Sequence, residues 1–322
     1  MPDIKKVRNW KDYNMSLKKR GSVIFSFSEE YLEELYFSGK RSKGGVRQYT
    51  DKMYELILYV KVLFRLPWRA AIGFTEGLVK KLLPDNKDIK VPNFGHASRE
   101  AGKLDLKIKQ YDIKGGMDIA FDSTGVNVYT TSGWHIKKHG KHSKCRNREQ
   151  WKKVHIAIDI NTNQVLVSEL TDSNTNDCEV FDKMSNEIEG SINSVRADGA
   201  YDTYEIYKKI DKWGAKAIIP PAKTSKAQDE LKKVSKKKEY LKQRDKTIHS
   251  IRKYDTFEEG LKNWKKDSQY NRRSIVEAFM FRFKRTFGFY LHNRTVNSRK
   301  NEITAKLGLL NFMTTLGMAK YF

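Results

Sequence analysis

The stretch GGMDIAFDSTGVNVYT, residues 115–130, is where the chain changes from helical to strand-like sequence. Upstream of it, apolar residues recur at intervals of three and four, which is typical of helices, whereas the stretch itself has the pattern of a strand. The pair Gly115–Gly116 marks the boundary, because neighbouring glycines commonly interrupt regular structure. The stretch therefore predicts a β-strand that carries Asp122 after its apolar run.

Strand and helix patterns continue downstream of this stretch. Two strand-like segments, WKKVHIAIDI (151–160) and QVLVSELT (164–171), are joined by the turn NTN and predict a hairpin. The next four segments have the patterns of helix, strand, helix and strand: NDCEVFDKMSNEIEG (176–190), SVRADGAYD (194–202), TYEIYKKIDKWG (203–214) and KAIIPPA (216–222). The order β-β-β-α-β-α-β predicts an α/β fold with a mixed five-stranded sheet and helices packed on its faces.

Residues 1–112 predict a small helical domain. Helical patterns cover 28–39, 49–66, 66–84 and 91–104. The last of these segments is polar and basic and carries Arg99 and Lys103, which favours a helix-turn-helix-like DNA reader. A plain helical bundle accounts for the pattern equally well.

The charge of the chain indicates a polyanionic partner. Lys and Arg number 63 against 39 Asp and Glu over 322 residues, a net charge of +24. No apolar run reaches the length of a membrane span, so nucleic acid is favoured over a membrane, although a merely lysine-rich or ribosome-associated protein would also have this surplus. The two cysteines, Cys145 and Cys178, form no CxxC pair, and MPDIKKVRNW (1–10) lacks the apolar stretch of a signal peptide. We therefore expect a cytosolic protein with access to DNA.

One acid stands alone in the basic helical segment YNRRSIVEAFMFRFK, residues 270–284. On a regular helix, Glu277 would lie at the centre of a polar stripe with Tyr270, Arg273 and Lys284, within a wedge of roughly 60°. An ion pair between Arg273 and Glu277 explains part of this pattern. A carboxylate that shares divalent metal ions with other acids, beside cations that hold DNA phosphates, explains more of it.

Asp122 and Asp198 are the candidate partners of Glu277, because each lies on or at the end of a predicted strand. Gly199, next to Asp198, would let another backbone segment approach closely. Mg²⁺ prefers carboxylate oxygen, and two such ions about 3.5–4 Å apart can serve in-line phosphoryl transfer. Three other acids are not assigned to the metal site. Asp118 lies nearer the start of the same strand as Asp122 and is expected at the rim of the site, Asp159 is explained by turn formation, and Asp202 is explained as a helix cap.

Several His, Cys and Trp side chains carry competing interpretations. The segment WHIKKHGKHSKC (134–145) contains His135, His139, His142 and Cys145, but it is loop-like and lysine-rich, so a basic DNA-facing loop is favoured over a zinc site. His155 fits a core or supporting histidine. Trp134, Trp151 and Trp264 could stack on a displaced base, and core packing is favoured for Trp151.

The spacing Y-x-x-R-x-x-x-E-x-x-x-x-x-x-K is formed by Tyr270, Arg273, Glu277 and Lys284. In this signature the chain resembles the bacterial insertion-sequence DDE transposases of insertion-sequence family five. Further similar motifs are NWKDYNMSLKKRGS (9–22), AFDSTG (120–125), WHIKKHG (134–140), WKKVH (151–155), ADGAYDT (197–203), IPP (219–221) and YNRRS (270–274). The resemblance covers nearly the whole chain.

This resemblance implies an RNase H-like catalytic domain over residues 113–322, with a basic insertion at about 223–269, after the helical DNA-binding domain at 1–112. It implies that Asp122, Asp198 and Glu277 bind the metal, expected to be two Mg²⁺ ions with Mn²⁺ able to substitute. It also implies that Tyr270, Arg273 and Lys284 contact the transposon-end strand. Further DNA contacts are expected at Arg99, Lys103, Lys137, Lys138 and His139.

The implied activity is DNA transposition. The enzyme would cleave the ends of an insertion sequence and join the freed 3′-hydroxyl to target DNA. Its expected partners are terminal inverted repeats, target DNA and a second copy of itself, with no membrane, in the bacterial cytosol at the nucleoid. Two rivals are an RNase H-like nuclease that only hydrolyses and a DNA-binding protein without enzymatic activity.

Overall fold

The computed structural model describes residues 7–22, 29–37, 48–83, 90–128, 151–231 and 238–319. Two compact units are present: Met1–Tyr111 together with Leu291–Phe322, and Asp112–Tyr290. The first junction between the units lies between Tyr111 and Asp112. Residues from 291 onward pack with the first unit instead of completing the second.

The second unit contains a mixed sheet, which confirms the predicted α/β fold. Its strands are β1 (Met117–Val128), β2 (Trp151–Asp159), β3 (Gln164–Asp172), β4 (Ile192–Arg196) and β5 (Lys216–Ile218), with a two-residue β6 (Tyr290–Leu291). The spatial order is β3-β2-β1-β4-β5, and β6 pairs with β1. Strands β1, β2 and β3 are antiparallel neighbours, whereas β4 and β5 run parallel to β1. The five predicted strands are therefore all present, and the sixth is a short addition.

The boundary before β1 depends on its glycines. Gly115 has φ +76°, a backbone conformation that other residues rarely adopt. A Cβ on Gly116 would lie 2.1 Å from Asn193 Oδ1, and Asn193 Nδ2 donates to the Gly116 carbonyl oxygen at 2.9 Å. Gly116 therefore allows the start of β1 to approach the start of β4, where the parallel pairing begins.

Helices α6 (Asp177–Asn186) and α7 (Tyr204–Lys212) cover one face of the sheet. Phe121 of β1 packs on Phe181 of α6, with ring centroids 4.5 Å apart, inside a continuous apolar core. Because side chains alternate along a strand, Asp118 and Asp122 project to the opposite face. Helix α10 (Ser274–Phe287) contacts β1 and brings its own acid to that face.

The interval 223–269, predicted as a basic insertion, contains α8 (Lys242–Ile251) and α9 (Phe257–Asp267). Trp264 of α9 is buried in a small core with Ile218 and Ile251, so it is not available for stacking on a base. The expectation for Trp151 was also wrong: its side chain is 47% exposed on the first residue of β2. The basic composition of the interval therefore does not exclude ordered helices.

The first unit is helical, as predicted. Its helices are α1 (Trp10–Gly21), α2 (Glu29–Glu33), α3 (Asp51–Leu63), α4 (Trp68–Leu82), α5 (Phe94–Ala101) and α11 (Val296–Thr315). Helix α3 packs on α4, α5 and α11. Asn301 of α11 donates to the carbonyl oxygens of Ala101 and Leu104 at 2.9 and 2.8 Å, and Glu302 pairs with Lys306 at 2.7 Å in the interior. These buried polar contacts explain why the last helix joins this unit.

No helix among the described residues is long and apolar enough to cross a membrane.

Candidate active site

Asp122 lies at the centre of the candidate site, on the face of β1 that α10 contacts. Its Oδ1 accepts a hydrogen bond from the backbone N–H of Ser123 at 2.8 Å, and its Oδ2 lies 2.9 Å from Arg273 Nη1. Burial raises the pKa of the Asp122 carboxyl, and the nearby charges of Asp198 and Glu277 raise it further. The charges of the other two predicted acids therefore both act on Asp122.

Arg273 joins two of these acids through a single guanidinium. Its Nη2 donates to Glu277 Oε1 at 2.8 Å, while Nη1 donates to Asp122. The Arg273 side chain is 17% exposed, and the Glu277 side chain is 59% exposed. The ion pair expected from local spacing is thus present, but it forms one half of a bridge between α10 and β1.

Asp198 follows β4 and begins the 3-10 turn Gly199–Tyr201. Its Oδ1 accepts from the backbone N–H of Ala200 at 2.9 Å, which fixes the carboxylate at the start of the turn. A Cβ on Gly199 would lie 3.3 Å from the Pro220 carbonyl oxygen, so the predicted close approach of another backbone segment is confirmed. The charge of Asp198 also acts on Tyr270 and Arg273.

A buried ion pair supports the loop that carries Asp198. Arg244 of α8 donates from Nε and Nη2 to the two oxygens of Asp202, at 2.8 and 3.0 Å. Ser225 Oγ donates to Asp202 Oδ2 at 3.0 Å. The interpretation of Asp202 as a helix cap was wrong, because α7 is capped at Thr203 without a side-chain hydrogen bond. Sequence spacing could not reveal a partner 42 residues away.

The start of α10 also differs from the prediction. Tyr270–Arg273 forms a 3-10 turn after Gln269, whose φ is +54°, and the α-helix begins only at Ser274. The Tyr270 ring packs 5.8 Å from the Trp264 ring, and the Arg273 guanidinium lies 5.9 Å from the Tyr270 ring centre. Burial raises the pKa of the Tyr270 hydroxyl. Tyr270 and Arg273 are therefore positioned by a turn and not by a continuous helical face.

A second cluster, around Asp118, was not anticipated. Arg272 Nη2 donates to Asn161 Oδ1 at 2.8 Å, and its Nη1 lies 3.5 Å from Asp118 Oδ2. Asp118 also accepts from Ser194 and lies 3.6 Å from Arg196, which is buried. Although burial opposes ionisation, these hydrogen bonds and cations hold the pKa of Asp118 below its usual value. The only signals in the sequence were the adjacent arginines and the four-residue spacing of Asp118 and Asp122.

Other predicted contacts are distributed more widely. Lys284 lies on α10 with its Nζ 5.7 Å from the Phe289 ring centre, and burial lowers the pKa of its ammonium group. Arg99 and Lys103 are exposed in the first unit, where Lys103 pairs with Glu100 at 2.8 Å. The remaining predicted DNA contacts and the unfavoured zinc ligands lie outside the described residues: Lys137, Lys138, His139, His135, His142 and Cys145.

Two further residues have structural explanations. His155 is buried between Thr171 and Asp177, at 2.9 and 3.1 Å, as expected for a core histidine. Asp159 Oδ2 accepts from the backbone and the hydroxyl of Thr162 at 2.9 and 2.7 Å, which confirms its role in the turn.

The donor chemistry of the three acids suits a hard divalent cation, which prefers carboxylate oxygen. Among the described residues, no three His, Cys, Asp or Glu side chains form a group that could hold a metal ion as they stand. Asp122 and Glu277 are instead held together by the cationic group of Arg273. The three acids therefore suit a divalent cation once the Arg273 guanidinium moves away from Asp122 and Glu277.

Comparison with known families supports a functional interpretation. Residues 114–312 match a family model described as "Transposase DDE domain", and residues 18–131 match a second model with the same description. The first match alone spans more than half of the chain, and it contains the whole sheet and all three acids.

Proposed function

Because the chain belongs to the DDE transposase family, we propose that it cleaves the ends of an insertion sequence and joins the freed 3′-hydroxyl to target DNA. The proposed catalytic and metal-binding residues are Asp122, Asp198 and Glu277. The proposal goes beyond family membership, which implies a DNA transposase that acts with divalent metal ions but specifies neither these steps nor these residues.

One observation carries the assignment of the site. A single guanidinium, that of Arg273, contacts both Asp122 and Glu277, which are 155 positions apart in the sequence. Asp198 is close enough for its charge to act on Asp122 and Arg273. Three carboxylates, from β1, the end of β4 and α10, repel one another when they lie close together unless a cation lies among them. Such electrostatically unfavourable groups are concentrated at functional sites, so their proximity supports a catalytic role.

When bound by the three acids, two Mg²⁺ ions, or Mn²⁺ in their place, would supply activation of the attacking oxygen and stabilisation of the leaving oxygen. The side chains Tyr270, Arg273 and Lys284 bind and orient the DNA strand that carries the reacting phosphate. Cleavage and joining use the same site, because both are in-line displacements at phosphorus that differ only in the nucleophile.

The first unit recognises the terminal inverted repeats in this proposal. Arg99 and Lys103 are exposed there and are suited to contact DNA phosphates or bases. The net charge of +24 supplies salt-sensitive affinity for the DNA backbone. Two ends must be held together for insertion, so the active form is a homodimer on DNA.

A joining assay tests the proposal. The purified chain is incubated with a duplex that contains one end of the element, a target plasmid and Mg²⁺; the end sequence is found from short inverted repeats that flank the gene. Joined product is expected. Hydrolysis without joined product would instead favour the nuclease that only hydrolyses.

Single substitutions test the residues. Asp122→Ala, Asp198→Ala and Glu277→Ala should each abolish cleavage while leaving end binding nearly unchanged. Asp211→Ala, which removes an exposed acid of α7, is the matched control and should cleave normally. Retained cleavage in any one of the three variants would remove that acid from the proposed site. Loss of end binding in all three would favour a structural role.

A further inference from the structure

Two arginines of the first unit meet at the start of helix α5. The guanidinium of Arg69, the second residue of α4, lies 4.4 Å from the ring centre of Phe94, the first residue of α5. Arg99 reaches back along α5 toward Gly95, because a Cβ on Gly95 would lie 4.0 Å from Arg99 Nη1. Both arginines are exposed, and the Phe94 side chain is 45% exposed. The two guanidinium groups therefore lie in water at consecutive positions of one helical turn.

Arg69 and Arg99 have no carboxylate partner among the described residues. Several lysines at the surface of the same unit lie in ion pairs with glutamates: Lys52 with Glu34, Lys80 with Glu76 and Lys103 with Glu100. The two arginines thus keep both their charge and their N–H donors available to a partner outside the chain.

Helix α5 holds this pair on a rigid support. Asn93 caps the helix by accepting from the His96 N–H at 2.9 Å, and Ala97 is fully buried. A Cβ on Gly102 would lie 2.5 Å from Ser298 Oγ, so the chain after α5 is packed closely against α11. The position of the arginines is therefore set by packing on the other sides of the helix.

We propose that Arg69 and Arg99 read guanine bases in the major groove of the terminal repeat, and that Phe94 holds the Arg69 guanidinium in the plane that a two-bond contact needs. This inference rests on the proposed function and specifies which base the first unit recognises. A guanidinium stacked on a ring keeps its in-plane donors available. Guanine presents two adjacent acceptors, O6 and N7, in the major groove, and arginine binds both of them. A short helix with an exposed first turn suits insertion into that groove.

The two contacts should fall close together on the DNA. The arginines meet within one turn of α5, which spans about 5.4 Å. Successive base pairs are about 3.4 Å apart along the duplex. We therefore expect the two guanines to lie within about two base pairs of each other.

Replacement of guanine by 7-deazaguanine tests the proposal without cleavage. Each guanine of an end-containing duplex is replaced in turn, which removes the N7 acceptor and keeps the base pair, and binding of the full-length chain is measured in EDTA. Two neighbouring positions should each weaken binding about fivefold or more. Arg69→Ala should abolish the sensitivity at one of these positions and keep it at the other, and Arg99→Ala should do the reverse.

The salt dependence separates a base contact from a phosphate contact. Arg69→Ala should weaken binding to the end-containing duplex, with the affinity for a scrambled duplex and the salt slope unchanged. Arg69→Lys, which keeps the charge without the planar fork, should also lose its sensitive position. Lys107→Ala, which removes an exposed cation after α5, is the control and should keep both positions. Equal losses on the two duplexes, with a slope reduced by about 0.9, would overturn the proposal in favour of a phosphate contact.

Two variants of Phe94 test the role of its ring. Phe94→Tyr keeps an aromatic face and should keep the sensitivity at the Arg69 position. Phe94→Leu keeps an apolar side chain without a ring and should reduce that sensitivity while the Arg99 position stays unchanged. Full sensitivity at both positions in Phe94→Leu would overturn the role given to the ring.

The outcome is distinguishable from failure of the proposed function. Normal end binding and joining, with the same sensitive guanines in Arg69→Ala and Arg99→Ala as in the unmodified chain, would overturn the reading of guanine alone. A chain that neither binds the end nor joins it to a target would refute the proposed function and this inference with it. Asp122→Ala should keep both sensitive positions, because base reading does not depend on the catalytic acids.

Discussion

Replacing Arg273 by alanine is the most informative change to the candidate site. The guanidinium donates to Asp122 at 2.9 Å and to Glu277 at 2.8 Å. Without it, two carboxylates would face each other, with Asp198 near by, and no cation between them. We expect Arg273→Ala to destabilise the metal-free protein and, at the same time, to raise its affinity for a divalent cation.

The magnitude follows from the two contacts. A hydrogen bond between a charged group and a largely buried partner contributes about 1.5–3 kcal/mol, which applies to Asp122. The contact with the exposed Glu277 contributes only about 0.3–0.5 kcal/mol. A total of about 2 kcal/mol lowers Tm by roughly 4–8 °C in a unit of this size. In the unmodified chain, a cation that binds Asp122 and Glu277 must displace the guanidinium and lose these contacts, at a cost of about 2 kcal/mol. Without that cost, the affinity of the site for the cation should rise roughly 30-fold.

Thermal unfolding in EDTA and in excess Mg²⁺, together with calorimetric titration of Mn²⁺, measures both effects. The loss of Tm should shrink by at least half in Mg²⁺, since the ion replaces the guanidinium charge. Lys262→Ala, which removes an exposed cation of α9, is the control and should change neither quantity. An equal loss of Tm with and without Mg²⁺, or unchanged Mn²⁺ affinity, would refute the reasoning.

Three other predictions concern neighbouring contacts. The pKa of Asp118 is lowered in the folded protein, so the ionised carboxylate stabilises the fold above the unfolded pKa of about 4, and this effect is lost as pH falls through the folded pKa. The free energies of urea unfolding of Asp118→Asn and of the unmodified chain should therefore converge in acid. A difference that stays constant with pH would contradict this. Lys284→Ala should weaken DNA binding and reduce the salt slope by about 0.7–0.9, and an unchanged slope would place Lys284 away from the phosphates. Arg244→Met should lower the free energy of unfolding by about 3–5 kcal/mol, because the Asp202 carboxylate is left buried without its arginine partner. Adding Asp202→Leu to Arg244→Met should recover most of this loss. No recovery in the double variant would show that the loss does not come from the uncompensated charge.

The order of strands and helices along the chain could be predicted because its signals are local. Glycine pairs, turn residues and alternating apolar positions lie within a few residues of the boundaries that they determine, as at Gly115 and Gly116. Asp122, Asp198 and Glu277 could be chosen for a related reason, since each follows an apolar run or interrupts a basic one.

The features that the sequence did not predict depend on distant partners. The α-helix begins only at Ser274, and the two arginines before it contact Asp118 and Asp122 of β1 and the amide of Asn161 in the turn after β2. Asp202 pairs with a residue of a later helix, and the last helix packs with residues near position 100. Local periodicity contains no information about such pairs, so burial and charge compensation were decided only by the tertiary fold.

The adjacent arginines at the start of α10 restrict how that helix can move. Arg272 is held near Asp118 and Arg273 near Asp122, and these acids are separated by about 13 Å along β1. Sliding the turn along the strand would stretch one attachment as it compressed the other. Rotation about the turn leaves the first attachment intact and releases only the second. Substrate-driven rearrangement should therefore resemble a hinge whose fixed end is Arg272 and whose free end carries Glu277.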